Sequence, residues 1–270
     1  MTGSKIGLST YAYFWRFSER VAHPLSLTDM LRDTAWLGAD LFQICDYAPL
    51  ETLTSDELAG VRALADELGL TLELGTRGTD PDHLLTYLRL AGALGASLVR
   101  SMWTSGDDRP DAIESDRRLR LVMPEYEAAG CTLALETYEQ VSSTELVALV
   151  RSVDSPYLGI CLDPANTVAN LELPGDVTAR CLPFVKNWHV KDFDFSREAG
   201  WVGFNLLGVP LGTGRLDYDG MRASLQPASR GINQVIEHWL PWTTDEETTV
   251  RLEREWTEDN LTYLRSKNND

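Results

Sequence analysis

The sequence predicts an α/β protein built as a single (β/α)8 barrel, one domain over residues 1–270, and three observations carry that prediction. Short apolar runs alternate with amphipathic helical stretches along the whole chain, and the count reaches eight of each. The length of 270 residues matches the roughly 250 of one such barrel. Finally, four apolar runs in succession end on side chains that bind metals: LALE on Glu136, YLGICLD on Asp163, VKNWHV with His189 near its end, and INQVIE on Glu237. Barrels of this class gather their sites from the ends of several strands.

In chain order, KIGLST (5–10) reads as the first strand and runs into an aromatic stretch, Tyr11, Tyr13, Phe14, Trp15 and Phe17, placed to wall a pocket or to pack a loop. LTDMLRDTAWLG has apolar residues at helical spacing and closes on Gly38. DLFQICD is the second strand; Ser55 is expected to cap DELAGVRALADELG; TLELG is the third strand, with Glu73 expected at its end. Pro81 opens the third helix, SLVRSMW delivers Arg100 to Trp103 towards the mouth, and Gly130 ends a fourth helix over about 111–129. STELVALVRSV, a short helix after Asp163-Pro164, and a short helix from Tyr218 supply the next returns, and 244–266 is the closing helix. Residues 191–217 read as one long irregular segment, and loops of that length inside a barrel are usually functional.

Composition narrows the partners. The net charge of −17 opposes attraction to a phosphate backbone, so nucleic acid is not an expected ligand. No apolar run approaches the ~18 residues of a membrane span, and MTGSKIGLST lacks the layout of a signal peptide, so a cytoplasmic chain with no membrane partner is expected. Cys45, Cys131, Cys161 and Cys181 show no close pairing and read as buried thiols of a reducing compartment.

Each ligand candidate has a bland alternative: an ion-paired strand-end acid for Glu136 or Glu237, a turn cap for Asp163, a core histidine for His189. Those alternatives would have to hold jointly at four consecutive strands. Three carboxylates and one imidazole make a hard, oxygen-rich set that suits a divalent cation, Mn²⁺ first, with Mg²⁺, Co²⁺ and Zn²⁺ also compatible.

The segments LALET, GICLDPANT, NWHVKD, PLGTGRLD and VIE together resemble the xylose isomerase-like TIM-barrel superfamily of sugar phosphate isomerases and epimerases, and within it the ketose 3-epimerases of the tagatose epimerase type. The resemblance covers essentially the whole chain. It implies that Glu136, Asp163, His189 and Glu237 hold one metal and that Glu136 and Glu237 are the acid/base pair. The implied activity is that of a metal-dependent sugar isomerase or epimerase, abstracting a proton beside a carbonyl through a metal-stabilised enediolate. The substrate is then a small carbohydrate, and a homo-oligomer or a partner subunit is compatible with the Trp-rich loops. Two departures stand out. Asn166 occupies the place of a histidine that contacts substrate oxygen in the epimerases, and the arginine of their seventh-strand loop has no clear match, leaving Lys191 and Arg197 as candidates. Glu73, Trp15 and Trp103 complete the candidate substrate contacts, Glu73 against the alternative of pairing with Arg77 or Arg100, and Lys191 against pairing with Asp192 or Asp194. The turn PLGTGRLD offers backbone N–H groups, a weak phosphate signal.

Three other functions share these residues. A lyase on 3-oxo-glycosides would use the same polarised carbonyl to expel a substituent, and the aromatic residues Tyr11 to Phe17 and Trp103 would suit an aryl partner. A non-catalytic sugar-binding subunit is a further reading. The three-zinc endonuclease of the same barrel type needs more histidines than the four present, His23, His83, His189 and His238; the last should point away from the ligand set.

Overall fold

The computed structural model describes residues 3–268. Eight parallel strands close into a barrel: β1 (Ile6–Ser9), β2 (Leu41–Cys45), β3 (Thr71–Gly75), β4 (Leu98–Ser101), β5 (Thr132–Glu136), β6 (Leu158–Leu162), β7 (Val185–Val190) and β10 (Asn233–Ile236), with β10 joining β7 to β1. The molecule is a single (β/α)8 TIM barrel, as expected. The outer layer comprises α1 (Leu27–Trp36), α2 (Ser55–Leu68), α3 (Pro81–Leu94), α4 (Ala112–Ala129), α5 (Ser143–Val153), the short α6 (Pro164–Thr167), α7 (Pro174–Cys181), α8 (Tyr218–Leu225), α9 (Pro227–Arg230) and α10 (Glu246–Asn268).

Local chemistry explains where these helices begin. Ser26 with Asp29, Thr54 with Glu57, and Ser142 with Glu145 form reciprocal capping boxes, while Asp80 and Asp111 accept from the first-turn N–H groups of α3 and α4. The cap of α2 is therefore Thr54, one residue before the expected Ser55, because Glu57 stands three positions after Thr54 and completes the box. Alternation along β7 sends Asn187 and His189 into the barrel, while Trp188 packs outward and stacks on Tyr218 of α8 at 5.1 Å.

Three further expectations are corrected. Within 191–217 lies an antiparallel hairpin, β8 (Asp192–Arg197) and β9 (Phe204–Val209). Its period-2 signal is the alternation in DFDFSR and FNLLGV, and its outer half carries the exposed side chains of Trp201, Val202 and Phe204. Asp192 accepts from the N–H groups of Gly212 (3.0 Å), Gly214 (2.9 Å) and Leu216 (2.8 Å), so the donors of PLGTGRLD serve a side chain of the protein itself rather than a phosphate. Glu73 is the third of five residues in β3, not its end; it is buried and bonded to Gln43, Asn187 and Asn233, while Arg77 pairs with Asp46 and Arg100 with Glu136 and Asp46. Among the described residues no helix is long and apolar enough to cross a membrane.

Candidate active site

Glu136 closes β5, Asp163 follows β6 and caps α6, His189 is the fifth residue of β7, and Glu237 follows β10. All four are buried, and one ligand atom from each lies within 4.8 Å of every other. The Nδ1 of His189 faces Glu237 at 3.3 Å, Glu136 at 3.5 Å and Asp163 at 3.7 Å, and has no hydrogen-bond partner. Its Nε2 lies 2.8 Å from the Oε1 of Gln43. A buried ring nitrogen aimed at three carboxylates, with the opposite nitrogen tied to a carbonyl, is the donor arrangement of a ligating histidine. These residues fit a divalent cation.

Two fixed cations stand against the three acids. The Nζ of Lys191, two residues after His189 and so on the same face of the chain, lies 2.7 Å from Asp163 and 2.9 Å from Glu237, above the Trp239 ring at 5.0 Å. Lys191 is thus paired with two of the ligand acids, and not with Asp192 or Asp194, the alternative to a substrate contact. Arg100 is buried, with its Nε against Glu136 and its Nη1 on the carbonyl of Thr76 (3.0 Å) and on Asp46 (3.5 Å). Asn166 donates to the other oxygen of Glu136 at 2.9 Å. Burial alone would raise the Glu136 carboxyl, but the Arg100 guanidinium, followed by His189 and Lys191, carries it well below the usual range. Burial likewise opposes charge on Lys191, and Asp163 and Glu237 reverse this and raise its ammonium far above the ordinary value. Beyond Arg100, Asp46 adopts a positive φ of 47° and accepts from the Tyr11 hydroxyl (2.7 Å), with Arg77 at 3.1 Å.

The remaining candidates lie elsewhere. Arg197 is exposed on the hairpin, over Phe204 at 4.2 Å and Trp201 at 5.1 Å. It stands six residues beyond Lys191, about 20 Å at ~3.3 Å per residue. Trp103 is buried with its indole on the Pro110 carbonyl, and Trp15 binds the Leu240 carbonyl and packs edge-on to Trp242. Of the aromatic stretch, Tyr11 and Phe14 do wall a cavity, of about 230 Å³, with Trp239 and Leu240. A larger cleft of about 870 Å³ lies outside the barrel between α1 and α10 and contains none of the site residues. His238 is bonded to Thr257 and Asn260 of α10 and is absent from the ligand cluster.

Gln43 is a site residue that sequence reasoning missed, and Arg100, which it did deliver towards the mouth, was not matched to Glu136. Their signal was present: a charge inside SLVRSMW and an amide inside DLFQICD, each in a strand that is otherwise apolar, must find an internal partner.

The chain is 51% identical, over 97% of its length and 96% of the relative's, to a 3-oxo-isoapionate decarboxylase of Pectobacterium atrosepticum. A D-psicose 3-epimerase structure determined with D-fructose superposes with a TM-score of 0.73 at 15% identity, covering 97% of this chain and 98% of that one. A xylose isomerase-like barrel protein of Mycobacterium smegmatis in complex with magnesium gives 0.71 at 17% identity, covering 95% and 97%. At such identities the two structures speak for the fold alone. Residues 31–260 match the xylose isomerase-like TIM barrel family, and with the eight-stranded barrel and the four converging side chains already described, the chain belongs to that family.

Proposed function

We propose that this chain is a divalent-metal-dependent lyase that removes CO₂ from a 3-oxo sugar acid. The observation that carries the reaction type is the engagement of both acids that epimerisation would use as bases: Glu136 by Arg100 and Asn166, Glu237 by Lys191 and Ser9. A carboxylate held this firmly in its ionised form is a weak proton acceptor. Decarboxylation of a 3-oxo acid needs no base, because the pair from the breaking C–C bond moves towards the ketone and the vacated carbon then takes a proton. The substrate class rests on the 51%-identical relative, whose name specifies a 3-oxo carboxylate.

A divalent cation held by Glu136, Asp163, His189 and Glu237 supplies Lewis-acid polarisation of the ketone oxygen. Arg100 and Asn166 keep Glu136 ionised and oriented. Lys191, its ammonium held by Asp163 and Glu237, is the protonated group beside the ligand acids; the carbon left by loss of CO₂ is basic enough to take a proton even from an ammonium held this firmly, and Lys191 returns it. Trp239 covers the Lys191 ammonium on one side, its ring 5.0 Å from Nζ.

Purified protein supplied with Mn²⁺ or Mg²⁺ should release CO₂ from 3-oxo-isoapionate and lose that activity to a chelator. Free ketoses incubated in D₂O should remain unlabelled. Deuterium entering D-psicose or D-fructose, with no CO₂ released from the acid, would replace this reading with an isomerase or epimerase.

A further inference from the structure

Beneath His189 the barrel core is polar. β2 places Gln43 opposite Glu73 of β3, and β7 places Asn187 opposite Asn233 of β10. Glu73 Oε2 accepts from Gln43 Nε2 (2.9 Å) and Asn187 Nδ2 (2.8 Å), and its Oε1 accepts from Asn233 Nδ2 (2.7 Å). Gln43 Nε2 also reaches Asn187 Oδ1 at 3.3 Å, while its Oε1 lies 2.8 Å from His189 Nε2 and accepts from the Cys45 thiol at 2.9 Å. Gln43, Glu73, Asn187 and His189 are each 2% exposed or less.

These groups are directional. Both oxygens of Glu73 accept, Oε2 from two amides and Oε1 from a third, so each amide facing Glu73 turns its NH₂ towards it. For Gln43 that choice aims its carbonyl at His189. A carbonyl cannot donate, so the proton between them belongs to Nε2 of the imidazole, and the ring's lone pair lies on Nδ1, the atom that faces Glu136, Asp163 and Glu237.

We infer that Glu73 is a positioning residue for the cation site: acting through Gln43, it selects the His189 tautomer that presents Nδ1 to the ion. It touches none of the four ligands. Without it, Gln43 loses the acceptor that fixes its amide, and the flipped amide would present NH₂ to Nε2 and favour the tautomer whose proton blocks Nδ1. The inference rests on the four-residue cluster holding a cation and is independent of the reaction that follows.

Calorimetric titration of Mn²⁺ into metal-free wild type, Glu73→Leu and Glu73→Gln tests it, together with ¹⁵N-histidine spectra of the Zn²⁺-loaded proteins, which four histidines keep simple to assign. Partners of metal-binding histidines are worth roughly 10–100-fold in metal affinity, and Glu73→Leu should lose affinity within that range, with the Nε2–H signal of His189 lost or shifted. Glu73→Gln still accepts from Gln43 through its own carbonyl and should stay near wild type in both measurements. Wild-type affinity and an unchanged His189 signal in Glu73→Leu would overturn the role, as would equal losses in the two variants, which would assign the effect to charge rather than orientation. Should Glu73→Leu fail to fold, Gln43→Met removes the accepting carbonyl directly and must show the same loss; wild-type affinity there overturns the role. Failure of the wild type to bind Mn²⁺ or Zn²⁺ would remove the cation site and this role with it, whether or not CO₂ is released.

Discussion

Lys191 and Arg100 divide the work of balancing three buried acids, and their replacement should separate catalysis from stability. Lys191→Met removes the proposed proton donor, and turnover on a 3-oxo acid should fall by roughly 10²–10⁴-fold, the usual worth of a general acid; a CO₂ release rate near wild type in this variant would withdraw the role. Arg100→Met instead strands Glu136 as a buried charge without its guanidinium. Breaking a buried pair in this way costs roughly 3–5 kcal/mol, so urea unfolding of the metal-free protein should show a loss of that order, and added Mn²⁺ should recover part of it by supplying a positive charge at Glu136. The sequence brought both residues towards the mouth but did not name the acids they pair with. Lys191 follows His189 in NWHVKD, but nothing local says whether it turns to Asp192 or into the mouth; a neighbouring strand, bringing Glu237 within 2.9 Å, decides that.

At the level of elements, α10 holds the loop after β1 through Glu253, with Thr257 on the Ala12 carbonyl and Glu246 on the Ala22 N–H beside it. Glu253 accepts from the N–H groups of Trp15 (2.7 Å) and Arg16 (3.0 Å) and pairs with the Arg16 guanidinium. Burial raises its carboxyl to about 6, against the partial opposition of these donors. A folded value above the unfolded one near 4.5 means that this group's contribution is fully present below pH 4.5 and is lost as pH rises through 6. The gap is worth about 2 kcal/mol at 1.36 kcal/mol per pH unit. Between pH 4 and 7 the wild type should therefore lose about that much stability relative to Glu253→Gln; parallel pH curves for the two proteins would refute it. The hairpin of β8 and β9 has its own anchor, Gly208, whose N–H donates to the Trp239 carbonyl at 3.3 Å. A Cβ there would lie 2.7 Å from that of Trp239. Gly208→Ala should cost about 1–3 kcal/mol, the usual price of overpacking, measured by denaturant unfolding, and should leave the ligand cluster in place.

Across the whole molecule, a cation bound at the strand ends should couple to folding, because its ligands come from β5, β6, β7 and β10 and converge only when the barrel is closed. At free metal about 100 times Kd the gain is about 2.7 kcal/mol, which for a chain of this size corresponds to a rise in Tm of about 5–10 °C. Thermal scans with Mn²⁺ and with excess chelator should differ by that amount; coincident melting curves would mean that the four side chains do not hold an ion.

Repetition and periodicity made the barrel readable without coordinates: eight strand-and-helix units, capping residues at helix starts, and acids or imidazole where four apolar runs stop are all local patterns in one chain. The hairpin within 191–217 was readable too, in its alternating apolar residues, but its length suggested an irregular loop. Other features were open to tertiary structure alone. Glu73 and Glu136 both lie in apolar strands, yet one points into the middle of the barrel among three amides and the other into the mouth beside Arg100. Strand stagger and the closing contact of β1 with β10 decide that depth, and these depend on residues more than two hundred positions apart. Sequence could therefore name the ligand types, whereas which cation balances each acid, and which amide orients the imidazole, follow from closure of the sheet.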